Sequence, residues 1–301
     1  MSVSPPCNRA LCSDEEILGA ARTLGAASGM ATTVPRLLTK LRDPNLHGKS
    51  LANFICTEPV LVARVLRVAN SAYYHHETRV ASVERAISIL GSDAVRAIAT
   101  VVALDALIDA IHSTDAFIAS ALRRHSLASA LLGRYLAQIC RPDLVGDAFL
   151  AALMHDLGHL LQVRLRPRGF ARMRMTLNGV RQPMTGSALR AVEEEYVGVA
   201  HERCIELVFR EWKLPEALAV GVGFHHSPMA APEELRSLAA LTHLSANLAS
   251  QRGDAAAQEL FVQDVCQEAQ QWLGLRDLDL RTASNAGLRG RCAWEDELAS
   301  A

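Results

Sequence analysis

Aromatic residues are scarce in this sequence: Phe, Trp and Tyr together account for only 5% of its 301 residues. Half of the residues are nonetheless apolar, and Ala and Leu recur in long stretches without proline. Ala and Leu lose little side-chain freedom in a helix, whereas strands favour aromatic and β-branched residues. The composition therefore predicts an all-α protein, with enough residues for one large domain or two smaller ones.

The sequence also lacks an excess of charge of either sign, because 31 Lys and Arg balance 32 Asp and Glu. No global positive field is available to concentrate nucleic acid or an anionic membrane surface. The N-terminus lacks the basic start and apolar run of a secretory signal, and no uncharged stretch approaches the roughly 20 residues of a membrane span. We expect a cytoplasmic protein that binds neither membranes nor nucleic acid.

Paired cysteines are missing as well. The cysteines are odd in number, widely scattered and never spaced as CxxC, which predicts reduced thiols rather than a disulfide framework or a structural zinc site. They are Cys7, Cys12, Cys56, Cys140, Cys204, Cys266 and Cys292.

Apolar residues recur at helical spacing along most of the chain. Ser13 and Glu16 form a capping box at which we expect the ordered chain to begin. Asn70 is expected to end a helix, with a contact to a partner as the alternative; Tyr73 to His76 are expected to lie on a surface loop. The predicted helices span 60–69, 82–90, 92–111, 116–140, 144–165, 189–210, 215–225 and 232–250, with weaker helices to about residue 275.

One stretch is biased in charge: Leu157 to Val192 holds arginines but no Asp or Glu. Arg164, Arg166 and Arg168 are candidate phosphate or ligand contacts. The alternative, which we favour, is a solvated helical face balanced by the acids that follow at 193–195.

Histidines form an ordered series along the second half of the chain, at His125, His155, His201 and His225-His226, each on or at the end of a predicted helix. Imidazole and carboxylate are ligands of first-row divalent metals, and the adjacent His155-Asp156 supplies one of each. Two such metals about 3.5–4 Å apart clamp a phosphate during hydrolysis. Any one of these histidines alone is better explained as a hydrogen-bonded core residue.

A competing local motif is HDLGH at 155–159, which is similar to the HExxH zinc-protease pattern. Asp156 has a shorter arm than the Glu base of that pattern, Gly158 weakens the helical turn, and no third ligand is marked. We therefore favour the longer histidine series.

Several segments together resemble the HDOD domain, the HD-related output domain of bacterial signalling proteins. They are VPRLL at 34–38, EPVL at 58–61, ARVLRVANSAYY at 63–74, SVERAISILGSDAVR at 82–96, HSLASALLGRYLA at 125–137 and AALMHDLGHLL at 151–161. The NSA tripeptide and the following AISILG are the most diagnostic part. The resemblance continues through His201, the segment WKLP at 212–215 and His225-His226, and covers roughly residues 15 to 250.

The resemblance implies an all-helical fold in which an N-terminal helical subdomain packs on an HD-like helical bundle. It also implies a role in signal transduction, often downstream of sensory or cyclic-nucleotide pathways, in a family generally regarded as regulatory rather than catalytic. It divides the chain into a tail at 1–12, an N-terminal helical part at 13–112, the HD-like bundle at 113–275 and a loose tail at 276–301.

The residues that match metal-binding positions of active HD phosphohydrolases are His125, His155, Asp156, His201, His225 and His226. They imply a site for a divalent metal such as Fe, Mn, Mg or Zn. Asn247 stands where those enzymes carry an Asp ligand, and an amide oxygen is the weaker, neutral donor. The Gly-Tyr-Pro signature of the HD-GYP cyclic-di-GMP phosphodiesterases is also missing after His226, where Ser227-Pro228-Met229 follow.

Two hypotheses follow. The leading one is a non-catalytic regulator, with no residue assigned as catalytic, whose partners are other bacterial signalling proteins, a nucleotide or a cyclic dinucleotide. The alternative is a metal-dependent phosphohydrolase that acts on a nucleotide or cyclic dinucleotide.

Overall fold

The structure, a computed structural model, describes residues 11–27, 33–43, 45–70, 79–112, 116–178, 186–250 and 267–283. Within these ranges every regular element is a helix, which confirms the all-α prediction. Several sequence features lie outside the described residues: Tyr73 to His76, Arg181, Cys7, Cys266, Cys292 and most of the two tails.

In its described residues the N-terminal half contains six helices: α1 (Asp14–Ala27), α2 (Thr33–Leu41), α3 (Gly48–Cys56), α4 (Pro59–Ala69), α5 (Val83–Leu90) and α6 (Ser92–His112). The predicted capping box opens α1: the Ser13 amide donates to Glu16 Oε2 at 2.9 Å, and the Glu16 amide donates to Ser13 Oγ at 3.2 Å. Two orphan amides of the first turn are thereby satisfied.

The second half contains α7 (Ala116–Cys140), α8 (Val145–Met154), α9 (Gly158–Leu165), α10 (Pro167–Asn178), α11 (Gly186–Tyr196), α12 (His201–Glu211), α13 (Glu216–Gly223), α14 (Arg236–Ala249) and α15 (Gln267–Trp272). Helices α7, α8 and α14 pack together at the centre, and α12 and α13 pack beside them. Residues 277–283 are also helical, and Leu280 and Ala283 are fully buried. The ordered chain thus continues past residue 276, where the loose tail was expected to begin.

Two predicted helices are interrupted. The helix expected at 144–165 contains a 3-10 turn, His155–Leu157, between α8 and α9. The helix expected at 189–210 breaks between α11 and α12, where Gly198 adopts a φ of 88° and its amide donates to the carbonyl of Glu194. A glycine in this conformation ends a helix without steric cost. Apolar periodicity runs through both breaks and therefore did not reveal them.

The N-terminal half packs on the bundle, as the resemblance implied. Helix α1 lies against α9 and α12, and α6 lies against α7. Asp105 on α6 is buried between two cations, with Arg123 Nε at 3.0 Å and Arg64 Nη1 at 3.6 Å from its carboxylate oxygens. This ion triad joins α4, α6 and α7 and so connects the two halves.

Asn70 ends α4, as predicted. Its side chain also bridges to Val80: Oδ1 accepts from the Val80 amide at 2.7 Å, and Nδ2 donates to the Val80 carbonyl at 2.8 Å. The same Nδ2 atom donates to the carbonyl of Leu66. The asparagine of the NSA tripeptide therefore stabilises the fold locally.

One stretch, Pro142–Leu165, is long and apolar enough by composition to cross a membrane. Its apolar window is 67% buried inside the fold, as in the core helices of globular proteins. A second candidate, Val83–Leu90 with Ser92–Asp105, passes the same test only as a pair bent by 118°.

Candidate metal centre

His155 and Asp156 lie in the 3-10 turn between α8 and α9. The His155 ring is 1% exposed, and its Nδ1 atom lies 2.7 Å from the carbonyl oxygen of Ala152. Because a carbonyl oxygen only accepts, Nδ1 carries the proton and the Nε2 lone pair points the other way. That Nε2 atom lies 3.2 Å from Asp156 Oδ1, so the imidazole and the carboxylate face the same point.

His125 approaches this point from α7. Its Nε2 atom lies 3.2 Å from His155 Nε2 and 3.4 Å from Asp156 Oδ2. The ring is about one-fifth exposed, whereas His155 is closed off from solvent. His125 and Asp156 therefore lie on the open side of the cluster.

His201, the first residue of α12, is held by a buried carboxylate. Glu193 accepts from the His201 amide at 2.8 Å and contacts its Nδ1 atom at 2.7 Å. The opposite ring nitrogen, Nε2, lies 3.5 Å from Asp156 Oδ1. A carboxylate on one imidazole nitrogen is the usual way in which proteins orient a metal-binding histidine.

His225 and His226 follow α13. His225 Nδ1 lies 2.7 Å from the carbonyl oxygen of Val222, and its Nε2 atom lies 3.3 Å from His201 Nε2. The His226 ring is centred 4.1 Å from that of His225 and 5.0 Å from that of His201. The structure therefore brings these residues into adjoining groups, His125 with His155 and Asp156, and His201 with His225 and His226, although they come from separate parts of the chain. Asp156 joins the two groups through its contact with His201.

These residues fit a divalent metal. In His155, His201 and His225 the Nδ1 atom faces an acceptor, so in the neutral rings three Nε2 lone pairs converge. Lone pairs 3.3 Å apart repel unless a cation or an extra proton lies between them. Ligand atoms bound about 2.0–2.2 Å from one ion lie about 3.0–3.5 Å from one another, which matches the spacing in this cluster.

The titratable groups of the cluster differ in the direction of their pKa shifts. Burial lowers the pKa of His155 to about 4 and that of His226 to about 3, so both rings are neutral at physiological pH. Burial alone would also lower the pKa of His201, but the charge and hydrogen bond of Glu193 raise it to about 9. Burial would raise the pKa of Asp156, yet the neighbouring imidazoles, His155 first, hold it well below its usual range. Without a metal, the proton on His201 separates the facing nitrogens.

The sequence did not reveal that Glu193 and His159 support the cluster: Glu193 was one of the acids after the arginine stretch, and His159 belonged to the competing HDLGH motif. Glu193 is 1% exposed, and interaction with His201 overcomes its burial and lowers its pKa to about 2. His159 stacks on His201 with ring centres 4.2 Å apart, and its Nδ1 contacts Gln162 Oε1 at 2.8 Å. The position of Glu193 eight residues before His201 was visible, but the helix break that joins them was not.

Gly158 permits this packing. A Cβ atom placed on Gly158 would lie 1.9 Å from the carbonyl oxygen of His201. Real Cβ atoms do not approach a backbone oxygen so closely, so the start of α9 meets the start of α12 only because this side chain is missing. Gly158 weakens the helical turn, yet the site requires it, because only a glycine lets α9 and α12 pack so closely.

Asn247 and the three candidate arginines show no contact with the cluster in the described part of the chain. The Asn247 amide donates to the carbonyl of His243 at 2.8 Å, one turn back in α14. Arg166 pairs with Glu16 of α1 at 3.3 Å. Arg164 and Arg168 are exposed. Arg190, a further arginine of the stretch from Leu157 to Val192, forms an ion pair with the buried Glu202, next to His201.

A cavity of about 380 Å³ opens onto the cluster through His125, Asp156 and His159. Apart from these three residues and Arg174, the cavity is lined by apolar side chains. They are Ile118, Ala121, Leu122, Phe170, Met173, Leu177 and Leu189. Clefts of this size and mixed lining commonly bind small molecules. The open side of the cluster therefore faces a space that a ligand can fill.

Comparisons with known proteins agree with this geometry. A family model described as the HDOD domain matches residues 29–228. A search of curated proteins gives no match.

Solved structures share the fold. An HDOD domain protein from Geobacter sulfurreducens is 20% identical, with a TM-score of 0.71, over 95% of this chain and 99% of its own. A candidate phosphohydrolase from Shewanella amazonensis is 20% identical, with a TM-score of 0.67, over 92% of this chain and 97% of its own. A candidate signal transduction protein from Marinobacter aquaeolei is 21% identical, with a TM-score of 0.69, over 95% of this chain and 64% of its own.

Proposed function

The chain belongs to the HDOD domain family, and on that premise we propose that it is a signal-transduction regulator that acts by binding rather than by catalysis. In this proposal the N-terminal part at 13–112 and the bundle at 113–275 together form the binding unit. Its partners are other signalling proteins, a nucleotide or a cyclic dinucleotide.

The proposal assigns a metal-binding role to the histidine cluster. His125, His155, Asp156, His201 and His225 would hold a divalent ion, with His226 as a further ligand. A set rich in imidazole nitrogen favours Fe or Zn over Mg, and its carboxylate also suits Mn. When bound, such an ion supplies positive charge and polarises an anionic ligand in the adjoining cavity.

One observation carries the non-catalytic part of the proposal: the Asn247 amide is bonded to the carbonyl of His243. Hydrolases of this superfamily place an Asp ligand at the matching position. Without that carboxylate the cluster offers less negative charge to hold two dications. A single ion that stabilises the fold or binds a ligand needs no further carboxylate.

A specific observation favours the alternative, a metal-dependent phosphohydrolase. The cavity beside the cluster reaches His125 and Asp156 and contains Arg174. The oxygens of Asp156 face different histidines, with Oδ2 3.4 Å from His125 and Oδ1 3.5 Å from His201, as a carboxylate that bridges two ions would. A phosphate could then lie between the metals and an arginine.

Metal analysis combined with turnover measurements separates these functions. The full chain is produced with added Mn and Fe, and Asp156→Asn is compared with Asp277→Asn, an exposed aspartate that contacts Gln270. We expect stoichiometric metal in the wild type and in Asp277→Asn but not in Asp156→Asn. If the protein is a non-catalytic regulator, then cyclic di-GMP, nucleotides and bis(p-nitrophenyl) phosphate should all remain unhydrolysed when they are incubated with the metal-loaded protein.

Turnover that Asp277→Asn retains and Asp156→Asn loses would replace the proposed function with the hydrolase. Absence of metal from the wild type would remove both the hydrolase and the metal-binding role. In that case the cluster would be a hydrogen-bonded polar core.

A further inference from the structure

A second cavity, of about 400 Å³, lies between the N-terminal half and the bundle. Its walls come from α2, α6, α7 and the first turns of α8, and none of the cluster histidines lines it. The volume falls within the range of about 300–1,000 Å³ that is usual for small-molecule sites. Neither the metal-binding role nor the cavity beside the histidines accounts for this space.

Three arginines line the cavity: Arg42 in the turn after α2, Arg96 on α6 and Arg134 on α7. Arg96 donates from Nη2 to the carbonyl of Leu46, but its Nε atom is buried without a hydrogen-bond partner. Arg134 makes no hydrogen bond or ion pair with the described part of the chain. The Arg134 guanidinium, which the described part of the fold leaves without a partner, is thus available to a bound molecule.

The acids that line the cavity are largely neutralised by their own partners. Asp147 lies 2.6 Å from Arg42, and Asp143 lies 2.7 Å from Arg141. Asp93, at the start of α6, is exposed. Arg96 and Arg134 therefore face a single unpaired carboxylate, and the local charge balance is positive once Arg141, which lies outside the lining, is set against Asp143.

The start of α8 adds to this charge. Val145, Gly146 and Asp147 line the cavity, so the positive end of the α8 dipole lies beside it. A Cβ atom on Gly146 would meet nothing within 4 Å, and the missing side chain leaves the helix backbone open on that side.

We propose that this cavity binds a small organic phosphate that carries hydroxyl groups, such as a sugar phosphate or a nucleoside monophosphate. Arg96 and Arg134 donate to the phosphoryl oxygens, and Asp93 accepts from a ligand hydroxyl. Donors that approach from two helices suit the three oxygens of a phosphoryl group, whereas a single arginine fork satisfies a planar carboxylate. Such a ligand holds α2 and α6 against α7 and α8, and its binding provides the module with an input signal.

Calorimetric titration of the full chain with AMP, ribose 5-phosphate and adenosine tests the proposal. We expect saturable binding of the phosphates and none of adenosine. Arg134→Gln should weaken binding about tenfold or more, because a charge-assisted hydrogen bond is lost. Arg124→Gln is the matched control on α7, since Arg124 is exposed and contacts only Ser120 among the described residues.

The two phosphates distinguish the ligand classes. Equal affinities for AMP and ribose 5-phosphate would indicate that the site recognises a sugar phosphate. Tighter binding of AMP would indicate a nucleotide ligand. Hydrogen exchange adds a readout that does not depend on a variant: the bound phosphate should slow amide exchange in α2 and α8.

Three results would overturn the proposal: no binding of either phosphate, unchanged affinity in Arg134→Gln, or loss of binding in Asp156→Asn. The last result would place the phosphate at the histidine cluster. The cavity shares no residue with that cluster. If the phosphate does not bind, the metal-binding proposal therefore still stands, and if no metal binds, the phosphate proposal still stands.

Discussion

Glu193 Oε1 lies 2.7 Å from His201 Nδ1, and both side chains are 1% exposed. The other carboxylate oxygen accepts from the His201 backbone amide at 2.8 Å. One buried carboxylate thus fixes both the start of α12 and the orientation of its first side chain. Glu193 therefore acts on the cluster through His201 as a positioning residue.

Replacing Glu193 with Gln should weaken metal binding about 10–100-fold, since an outer-shell partner of a metal-binding histidine typically contributes that much. The amide keeps one acceptor but loses the charge that faces the imidazole. Metal affinity by competition with a chromogenic chelator measures the change. Glu194→Gln, at the neighbouring exposed position, is the control and should bind metal as the wild type does; equal affinities of the two variants would contradict the positioning role.

Gly158→Ala should destabilise the fold by about 1–3 kcal/mol, the usual effect of overpacking, because its methyl group would meet the carbonyl oxygen of His201. Chemical denaturation of the metal-free protein gives the free energy of unfolding. Gly19→Ala is the matched control: Gly19 lies inside α1 with nothing within 4 Å of an added Cβ. That variant should gain about 0.5–1 kcal/mol from helix propensity, and a similar gain for Gly158→Ala would show that the contact does not matter.

A bound metal should raise the unfolding temperature. An ion that binds only the folded protein stabilises it by about 2.7 kcal/mol at a concentration 100 times its Kd. We expect Zn or Mn to raise Tm in the wild type and in Asp277→Asn, EDTA to reverse the rise, and Asp156→Asn to show none. An equal rise in Asp156→Asn would mean that the metal binds elsewhere.

Asn70→Ala should cost about 1–3 kcal/mol of unfolding free energy, because it leaves polar groups of Leu66 and Val80 without their side-chain partner. Thermal and urea unfolding measure the loss. Asn45 is exposed, and Asn45→Ala is expected to change stability by less than about 0.5 kcal/mol. If the two variants were equally stable, Asn70 would act elsewhere, for example at a partner surface.

The described cysteines should differ in reactivity. Cys56 is exposed, whereas Cys204 is buried, and burial raises the pKa of the Cys204 thiol. Because the thiolate is the nucleophile and must be accessible, iodoacetamide should modify Cys56 before Cys204, which should stay unmodified in the folded protein. Peptide mass mapping before and after denaturation checks the order, and early modification of Cys204 would indicate that the bundle opens.

The parts of the fold that the sequence predicted depend on local chemistry. The capping box of Ser13 and Glu16 is a local signal, contained within a few residues. The same is true of Asn70 at the end of α4. The apolar periodicity located most helices for the same reason. The two helix breaks escaped for different reasons. The 3-10 turn has a tertiary role, because it places His155 beside His125. The second break has a local signal, Gly198, which the continuous apolar periodicity masked.

The candidate site was predicted in part. The histidine series and Asp156 converge as the resemblance implied, but spacing along the chain did not reveal which charges lie beside them. Glu193 looked like a counter-charge to the arginine stretch and is instead buried against His201. Arg164, Arg166 and Arg168 were candidate phosphate contacts, with a solvated helical face as the favoured alternative, and in the described residues Arg174 is the arginine that lines the cavity at the cluster.

The separation of the histidines along the chain also has a consequence for folding. His125 meets His155 across thirty residues, and His201 meets His225 across twenty-four, so no single helix hairpin contains the cluster. Contacts of long sequence separation form only after the entropy of loop closure has been overcome. We therefore expect the cluster to assemble only after α7, α8, α12 and α13 have docked, so that a nascent chain should not capture an ion with it before the bundle exists.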